Sequence, residues 1–345
     1  MQSTDCKANG RLMARCVIGG MSVNGTKTVL VTGANGFIGG ALCRGLADAD
    51  YQIVGAVRQS RESTTRSDAV RYVACGDINA ATDWDPLLTG VDVIVHLAAR
   101  VHVMRETEVA PLHAFRRTNV DGSEALARQA AEHGVRRMVF VSTVKVNGER
   151  TGSRAFSEDS TASPADPYAV SKWEAEQRLA DVAAGSQMEL VIVRPPLVYG
   201  PGVGGNFLRL LRMVDKGIPL PFGRLTNKRS LVSVYNLCDL LRSCVTSSSA
   251  GGEVFLVSDG EDLTTPDLIY RIAGAMGKSA RVWPFPVTGV RAAFSVLGKS
   301  AEFQRLADSL QVSIRKSREL LGWQPPYSVE QSIGETVGWY AHNGR

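Results

Sequence analysis

The sequence predicts an α/β fold, in which a doubly wound parallel sheet is joined to a smaller, mostly helical domain. Short β-rich runs alternate with helical stretches through most of the chain, which is typical of βαβ units. The chain becomes rich in Pro and Gly after Val193 and rich in helical patterns after Leu263. Its 345 residues also exceed the usual length of one compact domain, which favours two joined units.

The predicted sheet has seven strands, because seven runs are short, rich in β-branched residues and bounded by turn residues. In chain order, these runs cover residues 29–31, 53–57, 70–75, 93–95, 138–141, 190–193 and 254–257. Between the first two runs, apolar residues recur at helical spacing from Ile38 to Leu46. Later helices are predicted near residues 207–214 and after Thr264 or Thr265, where a proline occupies the first turn.

Composition and charge exclude several classes of protein. The hydrophobic fraction of 44% is ordinary for a globular protein and excludes wholesale disorder. The formal net charge is +5, but residues 1–27 carry +3 of it, since they hold four basic residues against Asp5. The rest of the chain has no Lys/Arg block, so no nucleic-acid partner is expected. No apolar run approaches the roughly 20 residues that span a bilayer, so no membrane partner is expected either.

The first 27 residues and the cysteines indicate where in the cell the protein is expected to be. Residues 1–27 are interpreted as a disordered extension or the result of an upstream start codon, with a targeting segment as the alternative. The six cysteines form no C-x-x-C pair and have no histidine at ligand spacing. A cytoplasmic protein with reduced thiols and no metal site is therefore expected.

A glycine-rich turn, TGANGFIG at residues 32–39, follows the first strand and opens the first helix. Gly33 allows the tight turn, Gly36 lets the backbone approach a pyrophosphate, and Gly39 lets the helix pack closely on the strand. The pyrophosphate would lie on the amides of the helix N-terminus. The turn residues predicted to contact the cofactor are Gly33, Asn35, Gly36, Phe37, Ile38 and Gly39. This context predicts dinucleotide binding on a Rossmann sheet.

Arg58 bears on which dinucleotide is bound. It follows the second strand, at the position where an acidic residue would hold the 2′-hydroxyl of the adenosine ribose. An arginine there fits the additional phosphate of NADP(H), and Arg61 and Arg66 are near enough to assist. NADP(H) is therefore favoured and NAD(H) stays the alternative, because a solvated surface arginine would explain Arg58 as well.

A Y-x-x-x-K pair, Tyr168 and Lys172, lies at the start of a predicted helix. The four-residue spacing places the phenol and the ammonium on one face of that helix. A free phenol has a pKa near 10, and the neighbouring positive charges of Lys172 and an oxidised nicotinamide are expected to lower it. Thr143 closes an earlier strand at its carboxyl end, where sites on such sheets form.

The chain is predicted to divide into an extension and two domains that enclose a ligand cleft. Residues 1–27 form the extension, residues 28–193 and 229–260 the NAD(P)-binding Rossmann domain, and residues 194–228 and 261–345 the substrate-binding domain.

Five further short motifs follow one another along the chain. They are GDI at 76–78, HLAA at 96–99, TNV at 118–120, RPPLVYGP at 194–201 and LGWQP at 321–325. With the glycine-rich turn and the Y-x-x-x-K pair, they make the sequence resemble the extended short-chain dehydrogenase/reductase family, in its branch of sugar-nucleotide epimerases, dehydratases and reductases. The resemblance implies that Asn119 organises the active-site helix. It also implies that the cofactor is lined by Asp77, Ile78, Leu97, Ala98, Ala99 and Asn119.

The same resemblance implies roles in catalysis and substrate binding. Tyr168 would be the acid/base acting on the 4-oxygen of the sugar, with Thr143 hydrogen-bonded to that oxygen. Lys172 would hold the nicotinamide ribose. Asn206 matches a contact to a substrate phosphate, and Arg229 matches the residue that grips the nucleotide diphosphate, which a guanidinium does with two parallel hydrogen bonds.

Two enzymatic functions remain open. Dehydratases of this branch carry an Asp-Glu pair directly after the threonine, whereas this chain has Val144 and Lys145, so 4,6-dehydration is not expected. Arg58 favours an NADPH-dependent 4-keto reductase acting on a UDP-4-keto-6-deoxy-hexosamine in surface-polysaccharide synthesis. The alternative is a 4-epimerase of UDP-glucose or UDP-GlcNAc that uses tightly bound NAD. A catalytically silent scaffold is disfavoured, because Tyr168 and Lys172 are both present.

The expected partners are a UDP-sugar, the dinucleotide and a second copy of the chain. Family members usually form homodimers through the helices that correspond to residues 120–132 and 168–179, so a homodimer is the expectation by resemblance.

Overall fold

The computed structural model describes residues 27–49, 51–59, 70–101 and 111–344. Arg61, Arg66 and residues 1–26 of the predicted extension lie outside these ranges. The strands are β1 (Thr28–Thr32), β2 (Gln52–Val57), β3 (Val70–Ala74), β4 (Val93–His96), β5 (Arg137–Val141), β6 (Glu189–Arg194), β7 (Leu197–Tyr199), β8 (Arg229–Ser233), β9 (Val254–Leu256) and β10 (Asp262–Leu263).

Seven strands form one parallel sheet in the order β3-β2-β1-β4-β5-β6-β9, which confirms the predicted doubly wound sheet. Its central strands are continuous apolar runs, as expected where helices cover both faces of a parallel sheet. The chain winds toward β3 on one side of β1 and toward β6 on the other. The adjacent ends of β1 and β4, where Thr32 pairs with His96, therefore border the crevice in which such sheets bind ligands.

Twelve α-helices occur in the described part of the chain. They are α1 (Phe37–Ala47), α2 (Asp85–Leu88), α3 (Pro111–Arg116), α4 (Gly122–Glu132), α5 (Pro167–Ala184), α6 (Gly205–Asp215), α7 (Val234–Thr246), α8 (Thr265–Ala275), α9 (Val287–Val296), α10 (Ser300–Ala307), α11 (Arg315–Leu321) and α12 (Val329–Asn343). A π-helical segment, Arg117–Asp121, joins α3 to α4. No helix of the described ranges has the length and apolar character needed to cross a bilayer.

Helices cover both faces of the main sheet. On one face α1 and α7 contribute Leu42, Leu46 and Leu240 to a core shared with the strands. On the opposite face α4 and α5 contribute Leu126 and Leu179 to a second core. The two faces hold the sheet rigid, so the loops at its carboxyl edge have a fixed frame.

Local capping chemistry explains where two helices that matter for the site begin. The carboxylate of Asp166 accepts a hydrogen bond from the Ala169 amide at 2.7 Å, and Pro167 occupies the first position of α5. At α8, Thr264 is the cap, since its hydroxyl and the Asp267 side chain form a reciprocal capping box.

A smaller, three-stranded sheet in the order β10-β8-β7 accompanies the main sheet. Helices α6, α8 and α12 enclose a separate core with Phe207, Leu211, Ile272 and Ile333. Strand β8 begins at Arg229 and pairs with β7 and β10, not with the main sheet. These three short strands were not predicted; β7 lies between prolines and glycines, and β10 has only two residues. The division of the chain into two domains stays a prediction.

Candidate active site

The glycine-rich turn has the shape of a cradle for a pyrophosphate. Gly33 has a φ of +67°, and a Cβ at this position would lie 3.1 Å from the Ala98 nitrogen. A Cβ at Gly39 would lie 2.1 Å from the Gly33 oxygen, which no side chain could accommodate. Helix α1 starts after Gly36 with neither a side-chain cap nor an acidic residue in its first turn. Its amides therefore remain available to a phosphate, so this turn fits a dinucleotide.

The segments that flank the turn close around it. The Thr32 hydroxyl accepts hydrogen bonds from the amides of Leu97 and Ala98, both at 3.1 Å. Residues 97–99 therefore lie directly beside the turn, as predicted for residues lining a cofactor. Across the cleft, the ring of Phe37 lies 3.4 Å from where a Cβ of Gly202 would be, so the Pro/Gly-rich loop reaches the turn. Asn35 is exposed, and Ile38 is partly buried.

Arg58 and Asp77, two residues predicted to contact the cofactor, bind each other. The Arg58 Nε lies 3.0 Å from the Asp77 carboxylate, and the two side chains are 77% and 81% exposed. An exposed ion pair of this kind contributes at most about 1 kcal/mol, so a ligand could exchange for either partner. The next residue, Ile78, packs on Gly122 at the start of α4, where a Cβ would lie only 2.6 Å from the Ile78 side chain.

A buried hydrogen-bond chain runs from the turn toward α5. Its first link joins the Thr32 hydroxyl to His96 Nδ1 at 2.7 Å, and its second joins His96 Nε2 to the Ser123 hydroxyl at 2.9 Å. Because the Thr32 oxygen already accepts two amides, its proton goes to Nδ1, and Nε2 carries the hydrogen of the imidazole. Burial, with the nearby Lys172 charge, lowers the pKa of His96 to about 3, so the ring is neutral.

Asn119 continues this chain from the π-helical segment to α5. The Ser123 hydroxyl donates to the Asn119 carbonyl at 2.7 Å, and the Asn119 Nδ2 donates to the Ser171 hydroxyl at 3.0 Å. Ser171 in turn donates to the Tyr168 carbonyl at 2.8 Å. The Asn119 side chain also exchanges two hydrogen bonds with the backbone of Arg100. The cofactor turn and the helix that carries Tyr168 are thus joined through buried polar groups.

Tyr168 and Lys172 lie one turn apart on α5, facing the end of β5. The Lys172 ammonium is buried, 3.8 Å from the centre of the Phe140 ring. The Tyr168 ring packs edge-on against Phe115 of α3, with 6.1 Å between ring centres. The structure therefore places Lys172 beside the carboxyl end of β5, with Tyr168 one turn earlier on the same helix.

The pKa values of this pair differ from the sequence-based expectation. Burial lowers the pKa of Lys172 to about 7, which the Glu176 carboxylate partly opposes. Burial raises the pKa of Tyr168, and the Asp166 carboxylate raises it further. The lowering of the phenol pKa expected from Lys172 is thus not produced by the protein's own groups. Desolvation disfavours both the phenolate and the ammonium, and it is the largest cause of each shift in pKa.

Thr143 lies at the start of a short 3₁₀ turn, Val144–Val146, and its hydroxyl accepts a hydrogen bond from the Lys145 amide at 3.3 Å. The Lys145 ammonium forms an ion pair with Asp166, the cap of α5. The strand end that carries Thr143 is therefore attached to the helix that carries Tyr168. Lys145 was considered in the sequence analysis only as one of the two residues that replace the Asp-Glu pair of the dehydratases. The Asp166-Pro167 pair is typical of a helix start and could have identified Asp166 as the cap of α5.

Ser142 is a site residue that sequence reasoning did not single out. Its hydroxyl oxygen is buried between β5 and the Thr143 turn, and it has no hydrogen-bond partner among the described residues. A buried hydroxyl without a partner costs about 1–3 kcal/mol, and no group among the described residues offsets this cost.

Asn206 and Arg229, which were predicted to contact the substrate phosphates, lie outside the seven-stranded sheet. The predicted boundaries assigned Arg229 to the Rossmann domain, whereas its strand β8 pairs with β7 and β10. Asn206 is exposed in the first turn of α6. Arg229 begins β8, and its Nη1 donates a hydrogen bond to the Asp308 carbonyl at 2.9 Å. Burial lowers the pKa of Arg229, yet a guanidinium has five N–H donors, so donors remain for a phosphate. Within the described ranges, no cluster of three or more His, Cys, Asp or Glu residues could hold a metal ion.

Comparison with known proteins identifies one matching family and several similar enzymes. The profile of the NAD dependent epimerase/dehydratase family matches residues 29–258. A UDP-glucose 4-epimerase of Vibrio cholerae is 44% identical over 315 residues, which cover 90% of this chain and 94% of that protein. An N-acetyl-alpha-D-glucosaminyl-diphospho-ditrans,octacis-undecaprenol 4-epimerase of Escherichia coli O157:H7 is 26% identical over 323 residues, with 90% and 94% covered. The solved UDP-glucuronic acid 4-epimerase of Bacillus cereus, in complex with NAD, superimposes with a TM-score of 0.75 at 23% identity, over 92% of this chain and 100% of that one.

Proposed function

The chain belongs to the NAD dependent epimerase/dehydratase family, and from this premise we propose that it is a 4-epimerase of a UDP-hexose or UDP-N-acetylhexosamine. The relative that shares 44% of its residues is a UDP-glucose 4-epimerase, and this observation carries the choice of reaction. It favours the epimerase over the 4-keto reductase that Arg58 suggested. The arrangement of Tyr168, Lys172 and Thr143 at the carboxyl edge of the sheet supports chemistry at a sugar hydroxyl.

In this proposal the chain's own residues move one proton and orient the sugar. Tyr168 accepts the proton of the 4-hydroxyl when C4 is oxidised to a ketone, and it returns the proton when C4 is reduced from the opposite face. Thr143 orients the 4-oxygen, while Lys172, when protonated, stabilises the phenolate. A bound nicotinamide supplies the hydride acceptor and donor for C4. Because the pKa of Tyr168 is raised, formation of its phenolate depends strongly on nearby positive charge.

The charges at the end of β2 support NAD as the cofactor. A 2′-phosphate placed beside Arg58 would also face the Asp77 carboxylate, which lies 3.0 Å from the Arg58 Nε, and like charges at that range repel. A ribose 2′-hydroxyl could instead donate a hydrogen bond to this carboxylate. Arg58 on its own still favours NADPH, and the reductase therefore remains the second candidate.

One experiment separates the two candidates. The purified protein is denatured, and any released nucleotide is identified by mass spectrometry. Native protein is then given UDP-glucose or UDP-GlcNAc without added cofactor, and separately a UDP-4-keto-6-deoxy-hexosamine with NADPH. The proposal expects retained NAD and conversion without added cofactor. Stoichiometric consumption of NADPH, with no conversion of the first two sugars, would overturn it in favour of the reductase.

We also propose that Asn206 and Arg229 hold the phosphates of the sugar nucleotide. Arg229→Gln keeps a hydrogen-bond donor but removes the positive charge, so we expect KM for the sugar nucleotide to rise with a smaller change in kcat. Exposed Arg224 provides a matched control, because its replacement by Gln removes the same charge elsewhere on the smaller unit. Equal effects of the two substitutions would argue against this role for Arg229.

The chain is further proposed to act as a homodimer through α4 and α5. The outer faces of these helices carry Glu124, Arg128, Glu174 and Arg178, which pair with one another or with Arg116. Light scattering of the full chain at micromolar concentration should give twice the monomer mass of 37.1 kDa. A single species with the monomer mass would contradict this assignment.

A further inference from the structure

A segment of the smaller unit exposes large apolar side chains. Within residues 283–297, four such side chains are at least half exposed: Trp283 at 53%, Phe285 at 50%, Val296 at 88% and Leu297 at 68%. We name these four residues the α9 surface. The remaining exposed positions of α9 between them are uncharged apart from Arg291. An exposed helix normally carries charge on its outer face, so this surface is suited to an apolar contact.

The segment is firmly held by its inner side. Val290 is buried, and the ring of Phe294 packs against Phe303 of α10 at 5.4 Å between ring centres. The loop before α9 is fixed by backbone hydrogen bonds from Gly223 to Trp283 and from Trp283 to Leu220, both at 2.9 Å. The α9 surface is therefore the exposed side of a segment that is anchored by its loop and by the inner face of α9.

Basic residues flank this surface along the chain. Residues 268–301 contain no Asp or Glu. Their basic residues are Arg271, Lys278, Arg281, Arg291 and Lys299. Arg271 and Lys278 are neutralised by carboxylates from outside the stretch. No described carboxylate lies within 4.0 Å of the other three cations.

We propose that the α9 surface docks on an anionic lipid bilayer. No membrane partner was expected from the sequence, but that expectation was based on the absence of a spanning run and does not bear on contact with the bilayer surface.

Trp283 and Phe285 precede α9, while Val296 and Leu297 lie at its C-terminal end. Exposed apolar side chains at both ends of this helix, with Arg and Lys nearby in the chain, supply the two kinds of group that hold a segment in the membrane interface without crossing it. The apolar groups enter the acyl boundary while the cations meet the phosphates of the lipids. A second copy of the chain is a poorer occupant, because a two-fold contact through this surface would bring the same cations together.

Docking would place the candidate substrate site close to the membrane. Helix α10 follows α9, and at its far end the Asp308 carbonyl accepts the hydrogen bond from Arg229. Helix α10 has 8 residues, so its length is about 12 Å. The residue proposed to hold the diphosphate thus lies roughly one short helix away from the lipid surface. This inference does not depend on which reaction the site performs.

Vesicle co-sedimentation of the full chain tests the proposal. The vesicles contain either phosphatidylcholine alone or phosphatidylcholine with about one third phosphatidylglycerol. Val296→Asp/Leu297→Asp introduces charge at two exposed positions, so folding should be retained, and Leu320→Asp makes the same change on α11, where Leu320 is 39% exposed. Residues 1–27, with their +3 charge, are identical in all variants and cannot account for a difference between them.

We expect binding to the anionic vesicles that weakens with salt. The double substitution should reduce the partition coefficient by about tenfold or more, whereas Leu320→Asp should bind like the unaltered chain. Arg281→Gln/Lys299→Gln should reduce binding only to the anionic vesicles. Equal binding of all variants, equal binding to neutral vesicles, or no binding at all would overturn the proposal. A change of oligomeric state in the double variant would also overturn it, because the surface would then join two copies of the chain.

Discussion

At the residue scale, the site is governed by desolvated ionisable groups next to one another. Lys172 is fully buried between α5 and Phe140, and Tyr168 lies one turn earlier on the same helix. The spacing in the sequence predicted that the two would share a face, which the structure confirms. Their pKa values could not be predicted in the same way, because burial depends on residues such as Phe115 and Phe140 that are distant along the chain.

Tyr168→Phe tests the proton transfer directly. The variant keeps the ring that packs on Phe115 but lacks the hydroxyl, so we expect kcat for 4-epimerisation to fall about 10²- to 10⁴-fold without loss of folding. Tyr327→Phe is the matched control, because its exposed ring lies against Tyr235 on another part of the surface. A Tyr168→Phe enzyme with unchanged kcat would refute the assignment of this residue as acid/base.

Lys172 should also leave a signature in stability. The unfolded chain keeps this proton up to its ordinary pKa of 10.5, whereas the folded protein releases it near a pKa of about 7. The free energy of unfolding therefore rises with pH between these values, by up to about 1.4 kcal/mol per pH unit.

In Lys172→Met this contribution is absent, so its stability relative to the unaltered chain should be higher at pH 7 than at pH 9. Urea unfolding at the two pH values, without added nucleotide, measures the difference. Titrating groups whose pKa does not depend on Lys172 cancel in the comparison, and burial is the main cause that keeps His96 neutral in this pH range. Parallel pH profiles of the two proteins would mean that Lys172 keeps its ordinary pKa in the folded chain.

At the scale of elements, the N-terminus of α5 connects the helix that carries Tyr168 to the strand end that carries Thr143. Its cap, Asp166, binds the first turn of the helix and also pairs with Lys145 beside Thr143. The strands and helices themselves were largely predictable, since apolar runs and capping residues are local signals. The Lys145–Asp166 pair was not, because the two residues are brought together only when β5 and α5 pack.

Two substitutions at Asp166 separate its roles. Asp166→Ala removes both the cap and the ion pair, and we expect a loss of about 1 kcal/mol in stability together with a lower kcat. Asp166→Asn can still accept the hydrogen bond from the Ala169 amide, so it should keep most of the stability while losing the ion pair. Chemical denaturation and steady-state kinetics of both variants give the answer. Equal stability of the Asp166→Ala and Asp166→Asn variants would show that the cap contributes nothing to the stability of the protein.

At the scale of the whole molecule, cofactor binding should stabilise the fold. A ligand present at 100 times its Kd adds about 2.7 kcal/mol to the free energy of unfolding, which corresponds to several degrees in Tm. We expect NAD to raise Tm more than NADP, because of the Asp77 carboxylate beside Arg58.

Gly39→Ala should abolish the shift in Tm, because its Cβ would collide with the Gly33 carbonyl. A larger shift with NADP than with NAD would instead support the reductase. Thermal melts of nucleotide-free protein provide the baseline for both measurements.

The local pattern of the chain was sufficient to predict the seven-stranded sheet, the glycine-rich turn and the Tyr168–Lys172 pair. Each of these depends on residues a few positions apart, whose geometry follows from the period of a strand or helix. Packing decided the rest: the three-stranded second sheet, the buried chain from Thr32 through His96 to Ser171, and the exposed α9 surface. These features join residues that are tens of positions apart or depend on which faces remain uncovered. Burial, which sets the pKa values and the contacts there, exists only once the whole chain has folded.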